Sequence, residues 1–154
     1  MTQENSEKIK NSVNDFFNKA GISNVEIKSV EFAGDGSVSV GVFVEDASLC
    51  IGEGGRNIGS FENVLRLVLR KQIGEFPFFH LDINNYRGLK DGSLRELAKK
   101  AAHRARFYKR SVALESMSAY DRRIIHTELS AHPDIKTEST GEGDKRRVIV
   151  KYVF

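Results

Sequence analysis

The sequence predicts an α+β protein of two domains, residues 1–85 and 86–154. Apolar residues recur every three or four positions in some stretches and at every second position in others, which indicates helices mixed with strands. Residues 1–85 carry 8 Lys and Arg against 12 Asp and Glu, a net of −4, whereas residues 86–154 carry 16 against 9, a net of +7. Such an asymmetry favours a polyanion as the partner of the second domain.

The first domain is predicted to run helix, strand, strand, helix, glycine loop, helix, strand. Helical spacing of apolar residues indicates a first helix over residues 6–20, with Gly21 as its stop. Strict alternation from Val38 to Val44 indicates a strand with one buried face, which the turn AGDGS joins to the preceding strand VEIKSVEF. A short helical turn, DASLCI, precedes the glycines, a longer helix ends before Gly74, and FFHLDIN is the third strand.

The domain boundary is expected in the polar, turn-rich stretch NNYRGLKDGS. A basic amphipathic helix is predicted after it, from about Ser93 to Lys109, followed by a short strand in VALESM. A second helix, SAYDRRIIHTELS, has Ser118 and Asp121 at capping-box spacing and is ended by Pro133. IKTEST and RRVIVKYVF, joined by the turn GEGDK, form a terminal hairpin.

The composition indicates a cytoplasmic protein that is not inserted in a membrane. Cys50 is the single cysteine, which excludes an internal disulfide and fits a reducing compartment. The start MTQENSEKIK has neither the apolar segment of a signal peptide nor the arginine-rich pattern of a transit peptide. No apolar run approaches the roughly 20 residues that a membrane-spanning helix needs.

The sequence does not indicate an enzyme, and we expect neither a metal nor a cofactor. The four histidines have no metal-ligand spacing with one another or with Cys50. Arg122 and His126 could be imagined as a phosphodiesterase pair, but no third group is available to orient the histidine. The histidines are His80, His103, His126 and His132.

The stretch LCIGEGGRNI holds three glycines within four positions. A Walker phosphate loop is excluded because it needs Gly-Lys followed by Ser or Thr. A dinucleotide fingerprint is excluded because Asn57 occupies the third glycine position and a helical turn, rather than a strand, precedes the loop. A Gly-x-x-Gly loop between two helices lets a sugar–phosphate backbone lie against bare main chain, beside the amides of the following helix. A simple tight turn is the alternative.

With the order of elements around it, this loop resembles that of a bacterial-type (type II) KH domain, a module that binds about four nucleotides of single-stranded RNA or DNA. The resemblance implies that the bases rest on an apolar groove beside Ile51 and Ile58. Glu53 departs from the basic residues common in this loop, and its carboxylate would repel a phosphate. We therefore expect weak binding from this domain alone. The implied RNA-contacting residues are Ile51, Gly52, Glu53, Gly54, Gly55 and Arg56.

Arg122 and His126 stand four positions apart and share one face of a predicted helix. For an isolated pair, a surface arginine and a half-buried histidine are the simpler interpretation. MSAYDRRIIHTELS, the basic helix before it and TESTGEGDKRRVIV after it nevertheless resemble the Arg-x-x-x-His domain, a single-stranded nucleic-acid-binding module. The resemblance implies that His126 fixes the helix while Arg122 faces phosphate. The other predicted contacts in this domain are Arg95, Lys99, Arg123, Arg146 and Arg147.

Joined in this order, the two domains resemble the bacterial Jag family, the SpoIIIJ-associated RNA-binding proteins. The resemblance implies single-stranded RNA, or single-stranded DNA, as the ligand, a small stand-alone KH protein as a partner, and a role in cell elongation or division. The family's N-terminal Jag domain and charged linker are not found, so we expect a shortened or trimmed member. The alternative is a protein-interaction adaptor whose KH domain no longer binds nucleic acid.

Overall fold

The structure is a computed structural model that describes residues 3–154, so Met1 and Thr2 of the predicted first domain lie outside the described residues. The chain divides into two compact units, of which the first extends to Tyr86 and the second covers Arg87–Phe154. Each unit contains helices and one three-stranded sheet, and the predicted α+β class is confirmed.

The first unit has the order of elements that the sequence predicts. Strand β2 lies at the centre of its sheet, antiparallel to β1 and parallel to β3. A parallel pair needs a crossover connection, and the two helices around the glycines supply it. The elements are α1 (Gln3–Lys19), β1 (Val25–Phe32), β2 (Val38–Val44), α2 (Ser48–Ile51), α3 (Arg56–Ile73) and β3 (Phe79–Ile83).

The core of the first unit lies between the sheet and helices α1 and α3. The alternation of β2 is confirmed, because Val38, Val40, Val42 and Val44 are all buried. Apolar side chains that recur at helical spacing on α1 and α3 cover this face of β2. Those fully buried side chains are Ile9, Val13, Phe17, Leu65 and Leu69.

The second unit packs helices α4 and α5 against an antiparallel sheet of order β4-β6-β5. Its core is built from small alanine side chains of α4, from Ile125 and Leu129 of α5, and from Val148 and Val150 of the central strand. The elements are α4 (Tyr86–Tyr108), β4 (Val112–Ser116), α5 (Ala119–Leu129), β5 (Ile135–Thr140) and β6 (Arg147–Tyr152).

The start of α4 differs from the sequence-based expectation. The turn-rich composition of residues 84–93 predicts a linker and a helix that begins near Ser93, but the helix begins at Tyr86. Tertiary contacts outweigh the low helix propensity of the two glycines in this stretch. Lys90 Nζ lies 3.0 Å from Asp121 Oδ1, and the Tyr120 hydroxyl donates to the Asp91 carboxylate. The turn itself is limited to Asn84 and Asn85, which have positive φ.

Candidate nucleic-acid interface

The glycine loop of the first unit is a tight left-handed turn of the backbone. Gly52, Gly54 and Gly55 have φ of +70°, +63° and +82°, a region in which a side chain is strained. The Gly55 amide donates to the Gly52 carbonyl at 3.2 Å and closes one turn of 3₁₀ helix. The three glycines are therefore needed for the path of the chain between α2 and α3.

Two side chains lie directly against this loop. The Asn57 side-chain amide donates to the Leu49 carbonyl at 2.8 Å, and so ties the start of α3 to α2. A Cβ atom on Gly52 would lie 2.6 Å from Cγ of Asn57, and one on Gly55 would lie 2.6 Å from Cε1 of Tyr86. A Cβ on Gly54 would meet nothing within 4 Å. Gly54 is therefore the glycine of the loop beside which a ligand has the most room.

The predicted groove beside the loop is only partly present. Ile51 is half-buried and packs against the core of the first unit, whereas Ile58 is 3% exposed and lies inside that core. The expectation that a base rests on Ile58 is therefore wrong, because the residue is needed for packing. Glu53 and Arg56 are both exposed, so a carboxylate and a guanidinium flank the glycines.

In the second unit, His126 is held through both of its ring nitrogens. Nδ1 lies 2.7 Å from Thr137 Oγ1 and Nε2 lies 2.8 Å from Ser139 Oγ. Burial, and next the nearby charge of Arg122, lower the pKa of His126. A neutral imidazole donates through one nitrogen and accepts through the other, and a hydroxyl can fill either role. His126 thus joins α5 to β5 as a neutral group.

Arg122 lies where β4 ends and β6 begins. Its Nη1 donates to the Met117 carbonyl at 3.0 Å, and the Met117 amide donates to the Arg146 carbonyl at 3.1 Å. Arg147 pairs in register with Ser116, next to Met117. The structure therefore brings together Arg122, Arg146 and Arg147, which are three of the predicted cations. A guanidinium carries five N–H donors, so one bond to a carbonyl uses a small part of its capacity.

The remaining predicted cations are placed differently. Arg95 Nε and Lys99 Nζ of α4 each lie 3.8 Å from a carboxylate oxygen of Glu128. Glu128 follows His126 by two positions, so the two side chains lie on different faces of α5. Arg95 and Lys99 are therefore on the α4 side of α5 and not beside His126. Arg123 is exposed on α5 next to Arg122.

Sequence reasoning did not identify Thr137 and Ser139 as the partners of His126. A signal was present in the stretch TEST, because Thr137 and Ser139 stand two positions apart and project from the same face of β5. Hydroxyl groups at that spacing, on the strand that follows a helix containing histidine, could have indicated the contact.

Other chemistry finds little support in residues 3–154. Burial, and next the charge of Asp46, raise the pKa of the Cys50 thiol, which disfavours the thiolate that nucleophilic catalysis requires. Among these residues, no cluster of three or more His, Cys, Asp or Glu side chains is placed to bind a metal ion. Nor does this part of the chain contain a helix of the length and apolarity that crossing a bilayer requires.

Comparison with known proteins finds relatives of this chain. Residues 92–152 match the family of Arg-x-x-x-His domains. The chain is 37% identical over 106 residues to the RNA-binding protein KhpB of Clostridium symbiosum, an alignment covering 69% of this chain and 48% of that protein. It is 36% identical over 110 residues to KhpB of Bacillus subtilis, covering 70% and 53%, and 28% identical over 102 residues to KhpB of Lactiplantibacillus plantarum, covering 66% and 32%.

The chain thus spans about half the length, or less, of the curated relatives that it matches. The segment that matches the Arg-x-x-x-His family contains α5, with Arg122 and His126, and both strands of the terminal hairpin. The side chains that build the candidate interface of the second unit therefore lie within the recognised domain. The chain belongs to the Jag family, which includes the KhpB proteins.

Proposed function

We propose that this protein is a non-enzymatic binder of single-stranded RNA in which the second unit makes the dominant contact. The observation that carries the proposal is the meeting of Arg122, Arg146 and Arg147 beside Met117 on a strand end that His126 helps to fix. Arg122 and its neighbours would bind phosphate oxygens, and His126, as a neutral group, would position α5.

The charge of the second unit supports this assignment. Residues 86–154 carry a net charge of +7, and Lys and Arg side chains that neutralise phosphates supply most of the sequence-independent affinity for nucleic acid. The relatives are named as RNA-binding proteins, which favours RNA over other polyanions. Single-stranded DNA offers the same phosphates and is the natural competitor to test.

The first unit would add a weaker contact through a KH-type loop. A ligand has room beside Gly54, and Arg56 would bind a phosphate there, with Ile51, Gly52 and Gly55 shaping the loop. The exposed Glu53 carboxylate opposes that contact. Because both contacts would be on one chain, modest affinities combine into a larger one when a single RNA reaches both.

The cellular setting is also proposed from family membership. The chain would act in the bacterial cytoplasm, in the control of cell elongation or division, and pair with a small stand-alone KH protein. Co-purification of a small KH protein with the tagged chain, and loss of rod shape on depletion of the protein, would each support this setting. A partner of an unrelated fold, with cell shape unchanged, would contradict it.

The test is fluorescence anisotropy of a labelled 12-nucleotide oligouridylate at several salt concentrations. We expect affinity to fall steeply with salt, and Arg122→Ala to weaken binding about tenfold and more than Gly54→Asp does. The matched control is Lys136→Gln, which removes an exposed charge from β5 outside the proposed contact and should have a smaller effect. The reverse ranking of Arg122→Ala and Gly54→Asp would show that the glycine loop dominates.

A protein-interaction adaptor is the second candidate. It is favoured by the exposed Glu53 and by Val64 and Leu67 on α3, which are 47% and 59% exposed and three positions apart. Binding to an apolar protein surface would respond little to salt. Flat anisotropy at low salt, with capture of a protein that Leu67→Asp abolishes, would select this candidate over RNA binding.

A further inference from the structure

The C-terminal end of α4 exposes aromatic rings that the fold does not use. Phe107 and Tyr108 are 71% and 55% exposed. His103, one turn earlier, lies over the Phe107 ring, with ring centroids 6.5 Å apart and planes 23° apart. The core face of α4 is made by alanines, and neither Phe107 nor Tyr108 belongs to the core of the second unit. Folding therefore does not explain why these rings are present.

Cations are interleaved with these rings. The Arg110 guanidinium carbon lies 5.2 Å from the centre of the Tyr108 ring, and Lys109 Nζ lies 3.9 Å from the centre of the Tyr152 ring. Lys109 has φ of +50°, and this left-handed residue ends α4 and changes the direction of the chain. Arg104 is exposed one turn before Tyr108. The surface therefore combines flat rings with positive charge.

This combination fits one class of ligand. Proteins that bind single-stranded nucleic acid use aromatic rings for stacking with bases and cations for the backbone. An apolar protein partner would be met by apolar residues without this charge, and a purely electrostatic contact would not need exposed rings. Charge complementarity therefore favours a flexible polyanion with flat bases.

We propose that His103, Phe107, Tyr108, Lys109 and Arg110, here called the aromatic patch, form a base-stacking site for single-stranded RNA. The inference rests on the proposed RNA-binding function and adds a second contact to it. Phe107 and Tyr108 stack with bases, and Lys109 and Arg110 bind the adjoining phosphates. This site explains the aromatic residues that the Arg122 contact leaves unused.

The aromatic patch is separate from the Arg122 contact along β6. Lys109 covers Tyr152 at the end of that strand, whereas Arg147, beside Arg122, is at its beginning. Five residues separate the two, which corresponds to roughly 17 Å of extended strand. A single RNA strand that makes both contacts must therefore follow the length of β6.

The experiment compares a 12-nucleotide oligouridylate with an oligomer of equal length in which the central bases are abasic. The double variant Phe107→Ala/Tyr108→Ala should bind the complete oligomer about tenfold more weakly, because stacking is lost. It should bind the abasic oligomer as the unaltered protein does. Leu89→Ala is the matched control, since Leu89 is a 64% exposed apolar residue of the same helix, and it should change neither affinity.

Two further variants separate stacking from charge and from folding. Phe107→Leu keeps an apolar side chain of similar reach but removes the ring, and should lose affinity for the complete oligomer alone, even if the double variant fails to fold. Lys109→Gln/Arg110→Gln should lower the slope of log affinity against log salt by about 1.4, because about 0.7 is lost per phosphate contact with a single strand.

The outcomes separate the aromatic patch from the proposed function. If the unaltered protein binds neither oligomer, both are wrong. If Arg122→Ala weakens binding but the Phe107 variants do not, only the aromatic patch is wrong. An equal loss on both oligomers would exclude stacking. A change in self-association, measured by sedimentation without any change in RNA affinity, would show that the patch is an interface between copies.

Discussion

The glycine loop of the first unit and the Arg122–His126 contact of the second are built from different parts of the chain. The loop is a backbone structure, with three glycines at positive φ. The second contact is a side-chain structure, in which hydroxyl groups hold His126 and the Met117 carbonyl holds Arg122. The loop is therefore damaged by adding an atom, whereas the second contact is damaged by removing one.

The difference also separates shape from charge. A backbone loop can fit a sugar–phosphate chain, but its charge depends on its neighbours, and Glu53 and Arg56 oppose each other here. The second unit gathers arginines and has an overall positive charge. Affinity for a polyanion is thus expected to come mainly from the second unit, while the first supplies a surface that a strand can follow.

Alanine in the glycine loop is expected to give the largest loss of stability. Gly55→Ala combines a left-handed φ with a Cβ 2.6 Å from the Tyr86 ring, and should lower the free energy of unfolding by about 2–4 kcal/mol. Gly54→Ala, which has the strained φ but open space around the added Cβ, should cost only about 1–2 kcal/mol. Urea denaturation followed by circular dichroism measures both.

Gly59→Ala is the control, because Gly59 lies inside α3 with nothing near its missing Cβ. Alanine has the higher helix propensity, so this change should raise stability by about 0.5–1 kcal/mol. Equal losses at Gly54 and Gly55 would mean that the contact with Tyr86 does not constrain the loop. The backbone description of the first site would then rest on φ alone.

Local periodicity was sufficient to predict most of the fold. The alternating valines of β2 and the apolar spacing of α1 and α3 correctly indicated their elements, because each pattern is set by the nearest buried surface. The predicted start of α4 was wrong, because Lys90 and Asp91 are held by α5 residues about 30 positions later. No local pattern contains information about such distant partners.

The same limit applies to the candidate site. The four-residue spacing of Arg122 and His126 placed them on one helix face, and they do lie on α5. Their partners, Thr137 and Met117, depend on how strands β4 and β5 pack against that helix. Likewise, Tyr86 lies against Gly55 although the two are distant in the sequence, so the tightest glycine could not be identified from the loop sequence.

His126→Ala is expected to have the next largest effect, in the second unit. It leaves the Thr137 and Ser139 hydroxyls without their imidazole partner, at a cost of about 1–3 kcal/mol in the free energy of unfolding. Thr127→Ala, an exposed neighbour on α5, should cost much less and serves as the control. RNA affinity should fall less than with Arg122→Ala, because His126 positions the contact without carrying charge. A loss equal to that of Arg122→Ala would contradict this division of roles.

Acid should act on the second unit through His126. Its pKa is lowered in the folded state by burial and by Arg122, from an ordinary value of 6.5. The unfolded chain therefore binds the proton more readily, so the stability from His126 is complete above pH 6.5 and decreases as the pH falls below it. An NMR titration should give His126 a midpoint below 6.5, and His126→Gln should flatten the dependence of stability on pH over this range. A His126 midpoint above 6.5 would contradict the role of the neutral imidazole in joining α5 to β5.

Asp134→Asn should give the smallest effect, and only at lower pH. The Arg106 guanidinium donates to Asp134, with Nη2 2.8 Å from Oδ1, and lowers the pKa of that carboxyl from 3.8 to about 2. The stabilisation is therefore present above pH 3.8 and is lost as the pH falls through about 2. Both side chains are about one third exposed, so solvent weakens the pair.

Thermal unfolding measured on both proteins at each pH checks this expectation. The midpoint of Asp134→Asn should fall slightly below that of the unaltered protein at about pH 5, where the carboxylate is charged, and match it at about pH 2. A difference that persists at the lower pH would show that Asp134 stabilises the second unit by packing and not by its charge. The Arg106 contact would then differ from the Arg122 contact, whose proposed role depends on the charge that it presents to phosphate.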